Sequence, residues 1–167
     1  MTVEKFRGKY YPFSNMYPLP PEGWLEADCG LLVPTSEHAY MANRFADPSI
    51  QIIVATARAE DGDRRSYANG MAAKEMAHGL LADGHEQIFH DDDGRVALME
   101  RVIKLKLAAN SQILELLLQT KGAIYEGNDW VDKFWGVCPV GSGDGRNHLG
   151  RIYMRLRDES VDRAVAE

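Results

Sequence analysis

At 167 residues, with 45% hydrophobic and 26% charged residues, the chain is long enough for one self-supporting domain that needs no disulfide framework or structural metal. A formal net charge of −6 and a pI near 5.4 exclude a protein that coats nucleic acid with its whole surface, while leaving room for a local basic pocket. The two cysteines, Cys29 and Cys138, lie far apart and form no CxxC pair. That fits reduced thiols; with no membrane-spanning apolar run and no signal-peptide pattern, a cytoplasmic protein with no membrane partner is expected.

Taken in order, Phe6-Arg7-Gly8-Lys9-Tyr10-Tyr11-Pro12-Phe13-Ser14-Asn15 is rich in aromatics and poor in helix formers. It predicts a strand or extended segment ending in a turn. Arg7 and Lys9 beside four rings suit an anionic planar ligand, and suit equally the polar face of an ordinary strand. Leu19 to Trp24 is a loop by its turn chemistry, and Leu31-Leu32-Val33 predicts a short buried strand.

Pro34-Thr35-Ser36-Glu37-His38-Ala39-Tyr40-Met41-Ala42-Asn43-Arg44-Phe45 reads as the start of a helix capped by Thr35 or Ser36. Glu37 falls in the first turn, where the helix dipole favours an acid. Tyr40, Met41 and Phe45 form a partly apolar face that would pack on a core. Glu37 is then either a first-turn acid that helps the cap, or a carboxylate held rigidly enough for acid–base chemistry.

Pro48 predicts a second helix over Ser49 to Ala57, and Glu60 to Arg65 a charged, solvated loop. Met71 to Leu81 is helical, with Met71, Met76 and Leu80 as its apolar set. Gly94 to Ala108 is helical with Val96, Met99, Ile103 and Leu107 in register. Asn110 predicts the cap of a helix over Ser111 to Gln119, with Ile113, Leu114, Leu117 and Leu118 inward and Gly122 as its stop. Ile124 to Gly127 and Lys133 to Val137 read as short extended pieces around a turn. A last helix starts near Asn147 and shows Leu149, Ile152, Tyr153 and Leu156 on one side. The fold class is α+β, mainly helical, with a few short strands. Residues 1–158 form a single domain, and 159–167 a polar helix extension or tail.

Asp91-Asp92-Asp93-Gly94 resembles a calcium loop, but Phe89 would occupy the first ligand position, so a solvated turn preceding a helix is the better reading. His78, His85 and His90 lack zinc-site spacing. No metal is expected. Gly141 to Gly145 could offer backbone N–H groups to a phosphate or hydroxyl. Glu126 to Gly136 crowds Trp130 and Trp135 among Asp129, Asp132 and Asn128, as a sugar- or base-binding cleft would, or as a tryptophan-anchored turn would.

These pieces, in order, resemble the YbiA-like, or NADAR, family of N-glycosidases. The resemblance rests on Phe6, Gly8 and Tyr10; Phe13-Ser14-Asn15; Ser36-Glu37-His38 with Tyr40; Met99 and Lys106; and Leu117 with Thr120. It continues through Glu126, Asp132, Trp135-Gly136, Gly145, Asn147, Leu149-Gly150 and Met154-Arg155-Leu156-Arg157. It implies hydrolysis of a bond between ribose C1′ and a base or amine nitrogen, with no cofactor. The substrate is a small nucleotide-like molecule, a phosphoribosylamino-pyrimidine of riboflavin synthesis, or else ADP-ribosylated guanine in nucleic acid. The resemblance carries Glu37 over as catalytic carboxylate and places Asp132 beside it. Arg7, Gly8, Ser14, Asn15, His38, Lys106, Trp135 and Asn147 become substrate contacts. Relatives often have a tryptophan near the position of Asp91, where this chain has Phe89-His90-Asp91, so the base would be held differently, through Phe89. The rival from another class is a module that binds ADP-ribose or a nucleotide without turnover.

Overall fold

The structure, a computed structural model, describes residues 2–58 and 67–166. The expected charged loop from Glu60 to Arg65 lies outside these. The fold is mainly helical α+β, as expected. The chain gathers into two compact units, Asn15–Ala109 and Met1–Ser14 with Asn110–Glu167.

The Asn15–Ala109 unit contains a short antiparallel hairpin, β1 (Leu25–Glu26) and β2 (Leu32–Val33), with Leu25 opposite Val33. Four helices follow: α1 (Ser36–Asn43), α2 (Pro48–Ala55), α3 (Tyr67–Ala82) and α4 (Asp92–Ala109). Helix α1 is the centre. All eight of its residues are buried, and it packs on α2, α3, α4 and both strands. Alanines at 39 and 42 let neighbours approach, and the Thr35 side chain caps the helix by accepting the His38 N–H. Asp47 caps α2 by accepting the Ser49 N–H. The hairpin is tied down twice. Asn43 Oδ1 accepts the Asp28 N–H at 2.8 Å, and Arg101 of α4 grips the Asp28 carboxylate with two hydrogen bonds, at 2.6 and 2.7 Å.

Three expectations change here. Of Leu31-Leu32-Val33 only Val33 is buried; Leu32 projects to solvent because residues alternate across a strand. Helix α3 does not bury Met76, which is 41% exposed; its inward residues include Asn69, Gly70, Ala73 and Ala77. Small side chains were selected because α3 lies close to α1: a Cβ on Gly70 would collide with the Met16 sulfur and sit 3.6 Å from the Glu37 Cβ. Helix α4 buries Leu98, Met99, Val102, Ile103, Lys106 and Leu107, which puts a lysine in the middle of an apolar stripe.

In the other unit, the predicted N-terminal strand is instead a 3-10 helix over Gly8–Phe13, entered through Gly8 at φ +56°. Its aromatics are recruited to a ring cluster. Phe13 and Tyr153 lie 4.9 Å apart, Phe6 packs edge-on to both, and the Tyr153 hydroxyl donates to the Phe13 carbonyl at 2.9 Å. Tyr153 belongs to α6 (His148–Ala166), whose Leu149, Ile152 and Leu156 are also buried, as the spacing predicted. Burying each such side chain contributes about 1.5–3 kcal/mol. Helix α5 (Ser111–Leu118) buries Ile113 and Leu117, while Leu118 is 41% exposed. Asn110 occupies its N-cap position without a side-chain cap bond. The two extended pieces form single parallel bridges, Val3 with Ile124 and Gly127 with Val137. Among the described residues no helix is long and apolar enough to cross a membrane.

Candidate active site

Glu37 sits in the first turn of α1 with 6% of its surface exposed. Three local contacts fix that turn. The Glu37 N–H donates to the Asn15 carbonyl at 3.0 Å, Thr35 caps the helix, and Gly70 of α3 closes over the Glu37 stem. Asn15 Nδ2 also reaches the Met99 sulfur on α4 at 3.4 Å. Two buried polar atoms here, Asn15 Oδ1 and Ser36 Oγ, have no hydrogen-bond partner among the described residues.

His38, expected as a substrate contact, is instead fully buried and engaged within the fold. Its Nε2 lies 2.9 Å from the Ala57 carbonyl, an acceptor, so Nε2 carries the proton. Nδ1 then accepts from the Thr35 hydroxyl at 2.8 Å. Arg58 Nη1, 3.1 Å from Nε2, is a second donor, and it donates to the Ala57 carbonyl at 2.7 Å instead. Burial, chiefly, pushes the imidazole pKa down to about 4, and the Arg58 charge adds to this. His38 is a neutral brace for the turn that holds Glu37.

Lys106 is wholly buried, and desolvation brings its amine pKa down to about 7. At neutral pH it is therefore divided between charged and neutral forms, unlike a surface lysine. Along α1 beyond Glu37 come Tyr40 and Arg44. The Tyr40 ring lies 6.5 Å from Phe89 with the planes 21° apart, and the Arg44 guanidinium rests 5.9 Å from the first ring and 5.5 Å from the second. Sequence reasoning did not single out Arg44. Its signal is position: seven residues after Glu37, it shares the same buried helical stripe.

In the other unit, Asp132 stands at a tight turn. Its Oδ1 accepts the N–H groups of Phe134 at 3.0 Å and Trp135 at 2.9 Å. Asn128 clamps the same residue from behind, donating to the Asp132 carbonyl at 2.7 Å and accepting its N–H at 3.0 Å. Val131, held inside this clamp, takes φ +68°, a left-handed conformation that a β-branched side chain strongly disfavours. The Trp135 ring packs edge-on to Phe134 at 4.8 Å, and His148 adjoins both. Asn147, expected as a ligand contact, is a structural residue. Its Nδ2 donates to the Ile124 carbonyl at 2.8 Å and its Oδ1 accepts the Glu126 N–H at 3.1 Å. Arg7 and Gly8 are exposed at the start of the 3-10 helix, and the Ser14 N–H closes that helix on Tyr11. Glu37, Asn15, His38 and Lys106 thus belong to one unit, and Asp132, Trp135, Asn147, Arg7, Gly8 and Ser14 to the other. Among the described residues no group of three or more His, Cys, Asp or Glu could hold a metal ion.

The NADAR domain family matches residues 3–160. The chain belongs to the NADAR family. This NADAR domain is 33% identical over 136 residues to a riboflavin biosynthesis protein of Vibrio vulnificus, covering 81% of this chain and 33% of that protein. It is 28% identical over 129 residues to the chloroplastic riboflavin biosynthesis protein PYRR of Zea mays, covering 75% of this chain and 19% of the maize protein. The chain therefore spans a minor part of both proteins. N-glycosidase YbiA of Escherichia coli is 26% identical over 153 residues, covering 90% of this chain and 81% of YbiA. The NMR structure of E. coli YbiA superposes with a TM-score of 0.70 at 22% identity, over 100% of this chain and 88% of that one, so this NADAR domain has the YbiA fold.

Proposed function

We propose that this NADAR domain is an N-glycosidase that cleaves the bond between ribose C1′ and a base or amine nitrogen in a phosphorylated ribosyl or ADP-ribosyl substrate. The observation that carries this reading is Glu37: a carboxylate braced from three sides at the buried end of α1, in a chain matched to the family over residues 3–160. The name N-glycosidase borne by the E. coli relative supports the reaction, and the names of the Vibrio and maize proteins support a riboflavin-pathway substrate.

Departure of the nitrogen leaves positive charge on C1′ and the ring oxygen. A fixed carboxylate stabilises that charge and takes a proton from the attacking water, whose oxygen bonds to C1′. The leaving nitrogen receives a proton from a donor. Glu37 takes the carboxylate role. Asn15 Oδ1 and Ser36 Oγ, both buried and unpartnered among the described residues, are acceptors suited to ribose hydroxyls. Lys106, expected as a substrate contact, is wholly buried, as His38 is, and takes no contact in this reading.

Binding without turnover is the second reading. It is favoured by the burial of Phe89 against Tyr40 and Arg44, which leaves no open ring where relatives often have a tryptophan.

Glu37→Gln keeps the side-chain shape and removes its charge. The release of free base or amine, followed by mass spectrometry on a phosphoribosylamino-pyrimidine and on ADP-ribosylated guanosine, should fall about 10²–10⁴-fold. A variant as active as the wild type refutes the role of Glu37. Wild-type binding of both compounds with no product over hours selects the binding module.

A further inference from the structure

Arg44 is 9% exposed, yet among the described residues no carboxylate lies within ion-pair distance of it. Its polar contacts are neutral and incomplete. Nη1 donates to the Met41 sulfur at 3.3 Å, Nη2 donates to Gln87 Oε1 at 2.6 Å, and Nε is buried with no partner among the described residues. A buried cation without a counter-charge is far costlier than a buried neutral group, and is kept only where something repays it. The rings of Tyr40 and Phe89 supply part of that.

Other cations gather at the same place. Arg95, from the first turn of α4, hydrogen-bonds the Tyr40 side chain and keeps its own contact with Asp92 at 3.5 Å, where both side chains are partly exposed. From α3, His78 faces the same group, with Lys74 beside it. His78 is held below its ordinary pKa first by burial and then by the charges of Arg44 and Lys74. Arg44 is lowered first by burial, and Arg95 acts against it, while Tyr40 and Glu37 act the other way. Arg44 at the C-cap of α1, Arg95 of α4 and His78 of α3, with Lys74 beside His78, therefore gather basic groups in a chain whose net charge is −6. Repulsion among them is relieved by an anion.

The position of this cluster suggests which anion. Glu37 in the first turn of α1 and Arg44 at its C-cap are seven residues apart, which at 1.5 Å per residue is about 10 Å along the axis. A ribose carries its leaving group on C1′ and its phosphate on C5′, at opposite ends of the sugar. A substrate with C1′ at Glu37 would extend its phosphate along α1 toward Arg44.

We propose that Arg44 and Arg95, backed by His78 and Lys74, form an anion subsite that receives the phosphate of a ribosyl substrate. The identity of the sugar rests on the N-glycosidase reading; the anion subsite itself does not. A monophosphate and the diphosphate of an ADP-ribosyl group share this chemistry, and titration tells them apart.

The test is calorimetric titration of the full chain with ribose 5-phosphate, ADP-ribose and unphosphorylated ribose. The wild type should bind at least one phosphorylated probe and prefer it to ribose. Arg44→Met and Arg95→Met should each weaken that probe about 10- to 100-fold, the scale of a lost charge-assisted hydrogen bond, with Arg44→Lys recovering part of the loss. Preference for ribose 5-phosphate assigns a monophosphate and preference for ADP-ribose a diphosphate; both support the subsite. Circular dichroism confirms that the variants are folded, and the half-exposed Arg95 provides a second variant if Arg44→Met does not fold. Equal affinity in wild type and the folded variants, or no binding of either phosphorylated probe by the wild type, overturns the proposal. Failure of the wild type to release base or amine from either N-ribosyl compound would overturn the glycosidase reading and leave the anion titration standing.

Discussion

A histidine beside a candidate catalytic acid invites a chemical role, yet His38 has none of its hydrogen-bonding capacity left over. Asn147 is likewise engaged by the fold, its amide bonded to the backbone at Ile124 and Glu126. Residue type and motif position name both; only their partners show that they brace the backbone. The neutral state of His38 has a measurable consequence. Its folded pKa of about 4 lies below the ordinary 6.5, so between these values the unfolded chain binds a proton that the folded chain refuses. The stabilising contribution is complete above pH 6.5 and is lost as pH falls toward 4. Urea unfolding of the wild type and of His38→Gln at pH 7 and pH 5 should show the wild type losing about 2 kcal/mol more across that interval. Equal losses in both chains would mean that the imidazole is not buried neutral. Lys106 was legible in part, since the helical spacing that marks Met99 and Ile103 as inward marks position 106 too, and a charged residue there is the anomaly worth following.

Among the elements, α1, α4 and α6 were readable because their caps and apolar spacing are local properties. Helix α3 exists as expected, but its buried face does not follow its largest side chains. Close approach of two helices selects small residues, and that is a property of the partner as much as of the sequence. The aromatic segment at Gly8–Phe13 misled for a related reason: its rings are placed by Tyr153, far along the chain, so strand-like composition became a 3-10 turn. Glycine tests the point. At Gly150 of α6 a Cβ would press into the Ile124 carbonyl oxygen and the Asn147 amide, neither of which can swing away. Gly150→Ala should lower stability by about 1–3 kcal/mol even though alanine is the better helix former. Gly79→Ala, in open space on α3, should instead hold or gain up to about 1 kcal/mol. Thermal melts of the two variants make the comparison, and a Gly150→Ala protein as stable as the wild type would mean that the α6 contact is looser than described.

At the level of the molecule, residues 1–14 belong with 110–167, an association between sequence-distant segments that no local pattern announces. Val3 exchanges hydrogen bonds with Ala123 and Tyr125 at 2.8 and 2.7 Å, and Phe6 and Phe13 complete the ring cluster on Tyr153. Deleting residues 1–14 should therefore loosen α6: amides around Leu149 to Leu156 should exchange hydrogen at least 10-fold faster, corresponding to a loss of about 1.4 kcal/mol or more of local stability. Unchanged protection would mean that the unit holds without its N-terminal piece. By itself the sequence determined the main helices, a cap at Thr35 or Ser36 that sets Glu37 in a first turn, and the family, because capping, periodicity and ordered motifs act over a few residues at a time. The tertiary structure decided which polar side chains the backbone had already claimed and that Arg44 is buried with no carboxylate at ion-pair distance among the described residues. Burial and hydrogen-bond satisfaction are set by segments tens of residues apart, and no short window of sequence contains them.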